Sequence, residues 1–252
     1  IEVTPTYENN GVICVGDPET FTITVNPLGQ VEPVLSQELC AGDSTDEITF
    51  ETTNTNGTTT YTWTNDNPAI GLAASGIGDI LSFTPSLILP NSEIATIEVT
   101  PTYTNNGVIC VGNPETFTIT VNPLGEVDSI VSQVICVGDS TQSITFETAN
   151  TDGTTTYAWT NDNTDIGLGA GGIGDIPSFV VTNDTTDTLV ATIEVTPTYE
   201  NNGFSCVGDP ETFTITVNPG AQVNPLASQE ICPGESTDEI VFTTTNTDGT
   251  TT

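Results

Sequence analysis

The chain of 252 residues contains no Lys, Arg, His or Met. Against that absence stand 34 Asp and Glu, giving a formal net charge of −34. Without a cationic side chain the sequence can form no side-chain salt bridge and no basic patch to meet phosphate. The electrostatic term that drives nucleic-acid binding is therefore repulsive, which excludes nucleic-acid partners. Anionic membrane surfaces are disfavoured for the same reason. No apolar run reaches the roughly 18 to 20 residues that span a bilayer, so no membrane insertion is expected. A secreted polypeptide begins with Met and a signal peptide that is basic near its start; lacking both, the chain is expected to be an excerpt of a longer protein. Only 13% of residues are charged, so solubility is expected to come from Thr, Asn, Ser and Gly on half-exposed strands.

The missing residue types also remove whole chemistries. Ser-His-Asp and Cys-His arrangements, Schiff bases, Ser-Lys dyads and Lys-to-Asn isopeptide crosslinks cannot be assembled. A paired-carboxylate hydrolase needs two acids about 5 to 10 Å apart, and nothing in the sequence marks such a pair. No enzyme, catalytic residue or cofactor is expected. The stretches "GLAASGIGD" (71–79) and "GLGAGGIGD" (167–175) lack the Lys-Ser/Thr ending of a phosphate loop and any following helix. They read as small-residue loops crossing between sheets.

What is present, first of all, is a repeat. "IEVTPTY" begins at Ile1, Ile97 and Ile193, a period of 96 residues. The cysteines follow it in two series, Cys14, Cys110, Cys206 and Cys40, Cys136, Cys232, as do Trp63 and Trp159. Residues 1–29 and 97–125 differ only at Glu8/Thr104 and Asp17/Asn113. This period is too long for a solenoid unit and fits a self-contained sandwich domain of about 100 residues. Short strands of alternating apolar and polar residues fill each unit, separated by Gly, Asn, Asp and Pro. "EITFETT" places Ile48 and Phe50 on one face and "TYTWTND" places Tyr61 and Trp63. "ATIEVTPTY" does the same for Ile97, Val99 and Tyr103, and "TFTITVNP" for Phe117, Ile119 and Val121. Mid-strand tryptophans read as core, against the alternative of sugar-stacking platforms. The first strand of each unit is expected to start near Val31 and Val127, after a short "NPLG" linker. Complete repeats are thus expected at 30–124 and 125–220, flanked by the last strands of a preceding repeat at 1–29 and the first strands of a following one at 221–252.

The run "TYTWTNDNPAIGLAASGIGDI…SF" followed by "ATIEVTPTY…C.G.PETFTITVNP" resembles the PKD-like, immunoglobulin-like repeats of giant Bacteroidota surface proteins, over every repeat of the chain. The resemblance implies export by type IX secretion and display as a cell-surface adhesin, including the gliding type, and carries no catalytic residue. With the periodicity, it leads to an all-β fold of tandem immunoglobulin-like (PKD-like) β-sandwich domains in a linear array. The expected role is the structural shaft of an extracellular filament, with a multivalent glycan- or surface-binding array as the alternative. The expected partners are neighbouring repeats, other copies of the filament, and an extracellular surface or glycan met by domains outside these residues.

Six cysteines without His or metal-type pairs suggest disulfides and an oxidising exterior compartment. A strand starting at Val31 would carry Cys40 some 30 Å, to the far pole of its domain. The other cysteine series lies in the turn of the last hairpin, at the near pole. Disulfide partners need Cα atoms within about 7 Å, so Cys40 is expected to reach Cys206 of the next repeat. A kinked first strand would instead allow Cys40–Cys110 and Cys136–Cys206 within repeats. Asp66 and Asp162, in Asn-Asp-Asn turns, and Asp79 and Asp175 in the next loop are possible calcium ligands. Without a D-x-D-x-D-G pattern, diffuse counterion screening is the favoured reading, and no metal site is expected. An Asp-Ser/Thr-aliphatic/Thr pattern resembling the Bacteroidota O-glycosylation signal occurs around Ser44, Ser129, Ser140, Thr185 and Thr188, residue pairs that are also ordinary turn formers.

Overall fold

The structure is a computed structural model that describes residues 1–85 and 90–252. Part of the segment where the two repeats diverge most, 84–94 against 180–190, therefore lies outside the described residues. Strands β1 (Glu2–Val3), β2 (Thr6–Asn9), β3 (Val12–Val15) and β4 (Glu19–Thr20) occupy the first residues. They are followed by β5 (Gln37–Cys40), β6 (Thr58–Asn65), β7 (Ser75–Ile77), β8 (Glu93–Asn105), β9 (Val108–Val111) and β10 (Glu115–Asn122). One period later come β11 (Gln133–Cys136), β12 (Thr154–Asn161), β13 (Gly171–Ile173), β14 (Leu189–Asn201), β15 (Phe204–Val207) and β16 (Glu211–Asn218). The fold is all-β and immunoglobulin-like. The described residues form two compact units, one of 1–37, 44–83 and 94–119, the other of 38–43, 84–93 and 120–252.

In the second unit one sheet runs β11-β16-β14-β12-β13, with β15 paired to the end of β14, and the first sheet repeats that order one period earlier. The pairs are antiparallel except that β11 lies parallel to β16, with Gln133 opposite Ile215. A first strand parallel to a last strand is what an immunoglobulin-like sandwich requires when its first strand changes sheet. The central strand β14 carries Pro197 in mid-strand. It is tolerated because ladder partners on that side stop at Val195 with β16 and resume at Thr198 with β15, so the missing N–H faces a gap.

The second layer is less regular. "EITFETT" does not form a continuous strand: Ile48 exchanges two main-chain hydrogen bonds with Ile80, and Ile144 with Ile176, as single bridges. The faces nonetheless fall where alternation placed them. Ile48, Phe50, Tyr61, Trp63, Ile97, Val99, Tyr103, Phe117, Ile119 and Val121 are all buried, each aliphatic side chain contributing about 1.5 to 3 kcal/mol. The Phe50 and Tyr61 rings meet across the layers at 5.3 Å, as do Phe146 and Tyr157. The first strand departs from expectation. Residues 31–36 and 127–132 are not in strands, and pairing begins only at Gln37 and Gln133. Within 31–36, the Ser36 hydroxyl accepts Thr118 N–H at 3.0 Å in place of a ladder bond.

A short helical turn, Pro68–Ile70 or Thr164–Ile166, precedes each glycine-rich stretch, which is not loop throughout but contains β7 or β13. Glycine is needed where β13 passes the indole, because a Cβ on Gly172 would lie 2.5 Å from Trp159 Cζ2. The ring cannot swing away, since its Nε1–H donates to Gly174 C=O at 3.1 Å. Gly172→Ala is expected to destabilise the second unit by about 1 to 3 kcal/mol through overpacking. Gly169→Ala should be neutral in the same thermal melt: nothing lies within 4 Å of its position, and the first repeat already has Ala73 there.

Candidate functional site

Among the described residues, many side-chain hydrogen bonds gather where one sequence repeat hands over to the next, and their logic begins with a single amide. In each repeat an Asn follows the second-layer segment, at 54, 150 and 246. Asn150 Oδ1 accepts Glu126 N–H and the Thr148 and Thr155 hydroxyls, each at 3.0 Å, while Nδ2 donates to Leu124 C=O at 3.2 Å. Asn54 makes the same set with Gln30 N–H, Thr52, Thr59 and Leu28 C=O. Asn246 makes it with Gln222 N–H, Thr244, Thr251 and Gly220 C=O. Each linker is thus tied on both sides of its bend by one side chain standing in for a strand partner.

The linker also passes the hairpin of the repeat it enters. Gly125 N–H donates to Cys206 C=O at 3.2 Å, and Gly29 N–H to Cys110 C=O at 3.1 Å. The approach is so close that a Cβ on Gly208 would lie 1.7 Å from Gly125 C=O. The third linker reads Gly220-Ala221 where the first two read Leu-Gly.

Within the second unit, the residues 38–43 and 90–93 of the first repeat complete the site. Cys40 and Cys206 form a disulfide with Cα atoms 5.6 Å apart. Cys206 is fully buried, whereas Cys14, Cys136 and Cys232 are exposed free thiols and Cys110 a half-buried one. Beside the disulfide, Asp152 accepts Ser92 N–H at 2.8 Å and the Tyr199 hydroxyl at 2.5 Å. Ser92 Oγ in turn donates to Asn122 Oδ1 at 2.5 Å and accepts from Asn201 Nδ2 at 3.1 Å. The Thr151 hydroxyl donates to Asn91 Oδ1, and Thr247 to Asp187 one period later. Asp248 likewise takes Thr188 N–H at 3.2 Å. Position 56 carries Asn instead, and Tyr103 donates to Thr55 C=O at 2.8 Å.

Burial pushes the Tyr199 hydroxyl above its ordinary pKa near 10, and the hydrogen bond to the Asp152 carboxylate adds to the shift. Tyr61 and Tyr157 are raised chiefly by desolvation.

The four aspartates weighed as calcium ligands are engaged by the main chain. Asp66 and Asp162 accept Thr96 and Thr192 N–H at 2.7 Å, pinning the starts of β8 and β14. Asp79 and Asp175 accept Phe50 and Phe146 N–H at 2.9 and 3.0 Å. Their Asn neighbours serve the same turn: Asn161 donates to Leu168 C=O, and Asn163 accepts Asp165 N–H. Trp63 and Trp159 are buried and present no stacking face. Of the modification candidates, Ser44, Ser129 and Ser140 are exposed. The Thr185 hydroxyl is bonded to Asn183 Oδ1 at 2.7 Å within its own turn, and Thr188 is half-buried.

Two outcomes test this site. Asn150→Asp keeps the acceptor and removes the donor to Leu124 C=O, and should cost about 1 to 3 kcal/mol, with faster amide exchange at Glu126. The alkaline limb tests the tyrosines. Their raised folded pKa values mean that stability is complete below pH 10 and is lost as pH climbs above it, because the unfolded chain ionises first. A thermal midpoint falling above pH 10, and falling less in Tyr199→Phe, is the expected result.

No protein-family model matches the chain, and no curated protein matches it. Among solved structures it is similar to human mucin-like protocadherin EC1-2, at 11% identity over 76% of this chain and 98% of that one, with a TM-score of 0.35. It is similar to the insect immune protein hemolin at 14% identity, covering 87% of this chain and 56% of that one, with a TM-score of 0.32. The FN1-FN3 domains of chicken CNTN1 match at 12% identity, over 86% and 75% of the two chains, with a TM-score of 0.31.

Proposed function

We propose that the chain is part of the non-enzymatic shaft of an extracellular filament or giant cell-surface adhesin, in which the repeats are domains set in a row at 30–124 and 125–220. Residues 1–29 and 221–252 are then parts of the repeats on either side. The observation that carries the reading is the Cys40–Cys206 disulfide, which joins the first strand of one sequence repeat to the last hairpin of the next. A crosslink there, backed by the Asn150 clamp and the Asp152 network, resists bending and extension at the handover, as a spacer requires. The same rule pairs Cys14, Cys110, Cys136 and Cys232 with cysteines of further repeats.

An oxidising exterior fits this chemistry, because disulfides persist outside the cytosol. Among the described residues no helix is long and apolar enough to cross a membrane. The resemblance to Bacteroidota PKD-like repeats supplies the rest of the proposal: type IX export, display on the cell surface, gliding adhesins as the nearest role, and the exposed Ser44, Ser129 and Ser140 as glycan attachment points.

Non-reducing peptide mapping with a protease that cuts after acidic residues checks the crosslink. A Cys40–Cys206 linked peptide is expected, and a Cys40–Cys110 peptide would overturn the reading. Small-angle scattering of the oxidised chain should then give an elongated particle whose maximum dimension becomes more variable after reduction. A particle equally compact in both states would end the shaft proposal.

A further inference from the structure

In each of the two complete repeats the first segment and the second-layer segment splay apart at the same place. In the first, segments 32–36 and 46–51 are tied at one end by Glu32 N–H to Glu51 C=O, 2.9 Å. They are tied at the other by the Gln37 side chain, which accepts Asp46 N–H at 2.9 Å and donates to Asp46 C=O at 3.1 Å. In the second, the ties are Asp128 N–H to Glu147 C=O at 2.8 Å, and Gln133 with Gln142 at 2.9 and 3.3 Å. Between these ties Ile48 and Ile144 turn their main-chain groups toward Ile80 and Ile176. In extended backbone successive residues face opposite ways. The N–H and C=O groups of Glu47 and Thr49, and of Ser143 and Thr145, therefore face the splayed first segment, and they have no main-chain partner among the described residues.

The opening is a groove of about 240 Å³ in the first repeat and about 840 Å³ in the second. Its lip carries exposed apolar side chains, Leu35 at 85% and Val131 at 82% exposure. Its rim carries Glu32, Glu47 and Glu51 in one repeat and Asp128 and Glu147 in the other. Free main-chain groups on an extended edge accept a further strand. An acidic rim in a chain without one Lys, Arg or His has no internal counter-charge. A second copy of this chain brings only more negative charge, so the complementary occupant is positive.

We propose that this groove binds an extended cationic peptide segment of another protein by strand addition. Its main chain pairs with Thr49 or Thr145, alternate basic side chains meet the acidic rim, and the apolar ones between them pack on Leu35 or Val131. The proposal goes beyond a spacer role, since it gives the shaft a lateral site that recurs with the repeat.

The test uses the full oxidised chain and two short capped peptides of equal charge, one alternating Lys and Val, the other Lys and Pro. The Lys-Val peptide should bind by calorimetry and protect the Thr49 and Thr145 amides from exchange. Its affinity should fall about tenfold between low and physiological salt. The Lys-Pro peptide, whose prolines lack N–H groups and fix φ away from the values of a β-ladder, should bind at least about tenfold more weakly. Thr145→Pro removes one free N–H, which unpaired strand positions tolerate, and should abolish protection of the Ser143 amide while leaving Thr49 protected. The conservative pair Asp128→Asn with Glu147→Gln should weaken binding there without touching the main chain. Equal binding of the two peptides would reduce the attraction to diffuse charge and overturn the proposal. So would amide protection outside the groove, or self-association of the chain that the Lys-Val peptide competes away.

Discussion

A carboxylate in this chain has no side-chain cation to meet, and much of the local architecture follows from that constraint. With 34 acids and no Lys, Arg or His, stabilising partners for Asp and Glu are limited to N–H and O–H groups. The described structure uses them as fasteners for the backbone. Asp66, Asp79, Asp162 and Asp175 each take one main-chain N–H at a turn or strand start. Asp152 takes a main-chain N–H and a tyrosine hydroxyl. Hydrogen bonds to an ionised acceptor are stronger than neutral ones, so these few contacts fix loops that a more balanced sequence would hold with ion pairs. Neutral amides complete the pattern, with Gln37 and Gln133 on one flank and Asn54 and Asn150 on the other, each imitating a peptide group where the sheet has none.

The cores were legible because burial in a half-exposed strand has a period of two, and Thr marks much of the solvent side. Trp63, Ile97 and Phe117 sit where that alternation put them. The first strand was not legible in the same way. The apolar residues of "VEPVLSQEL" suggest a strand from Val31, but whether a ladder forms depends on what lies beside it. Here the main chain leaves one layer and joins the other only at Gln37. The Asn and Gln clamps were missed for a related reason. Nothing about a polar residue in a Thr-rich run says that a linker 24 residues away will come to rest against it. One signal was nevertheless present: Gln37, Gln133 and Gln229, and Asn54, Asn150 and Asn246, recur unchanged in all three copies.

That variation is itself ordered by physical role. The hairpin of the first 29 residues is copied almost letter for letter at 97–125, whereas several positions at the handover differ. Asn56 stands where Asp152 and Asp248 stand, Asn91 where Asp187 stands, and Ala221 where Gly29 and Gly125 stand. Asp152 receives Tyr199 and Ser92, while the tyrosine beside Asn56 turns to a carbonyl instead. Gly125 lies so close to the hairpin backbone that a side chain there would meet Pro197 C=O at 2.7 Å, so the linker containing Ala221 must take another path or another spacing. Repeats with one core can therefore carry handovers of different chemistry. That chemistry is set at the few residues where the duplication has been edited, while most of the fifteen or so buried apolar residues of each core remain the same.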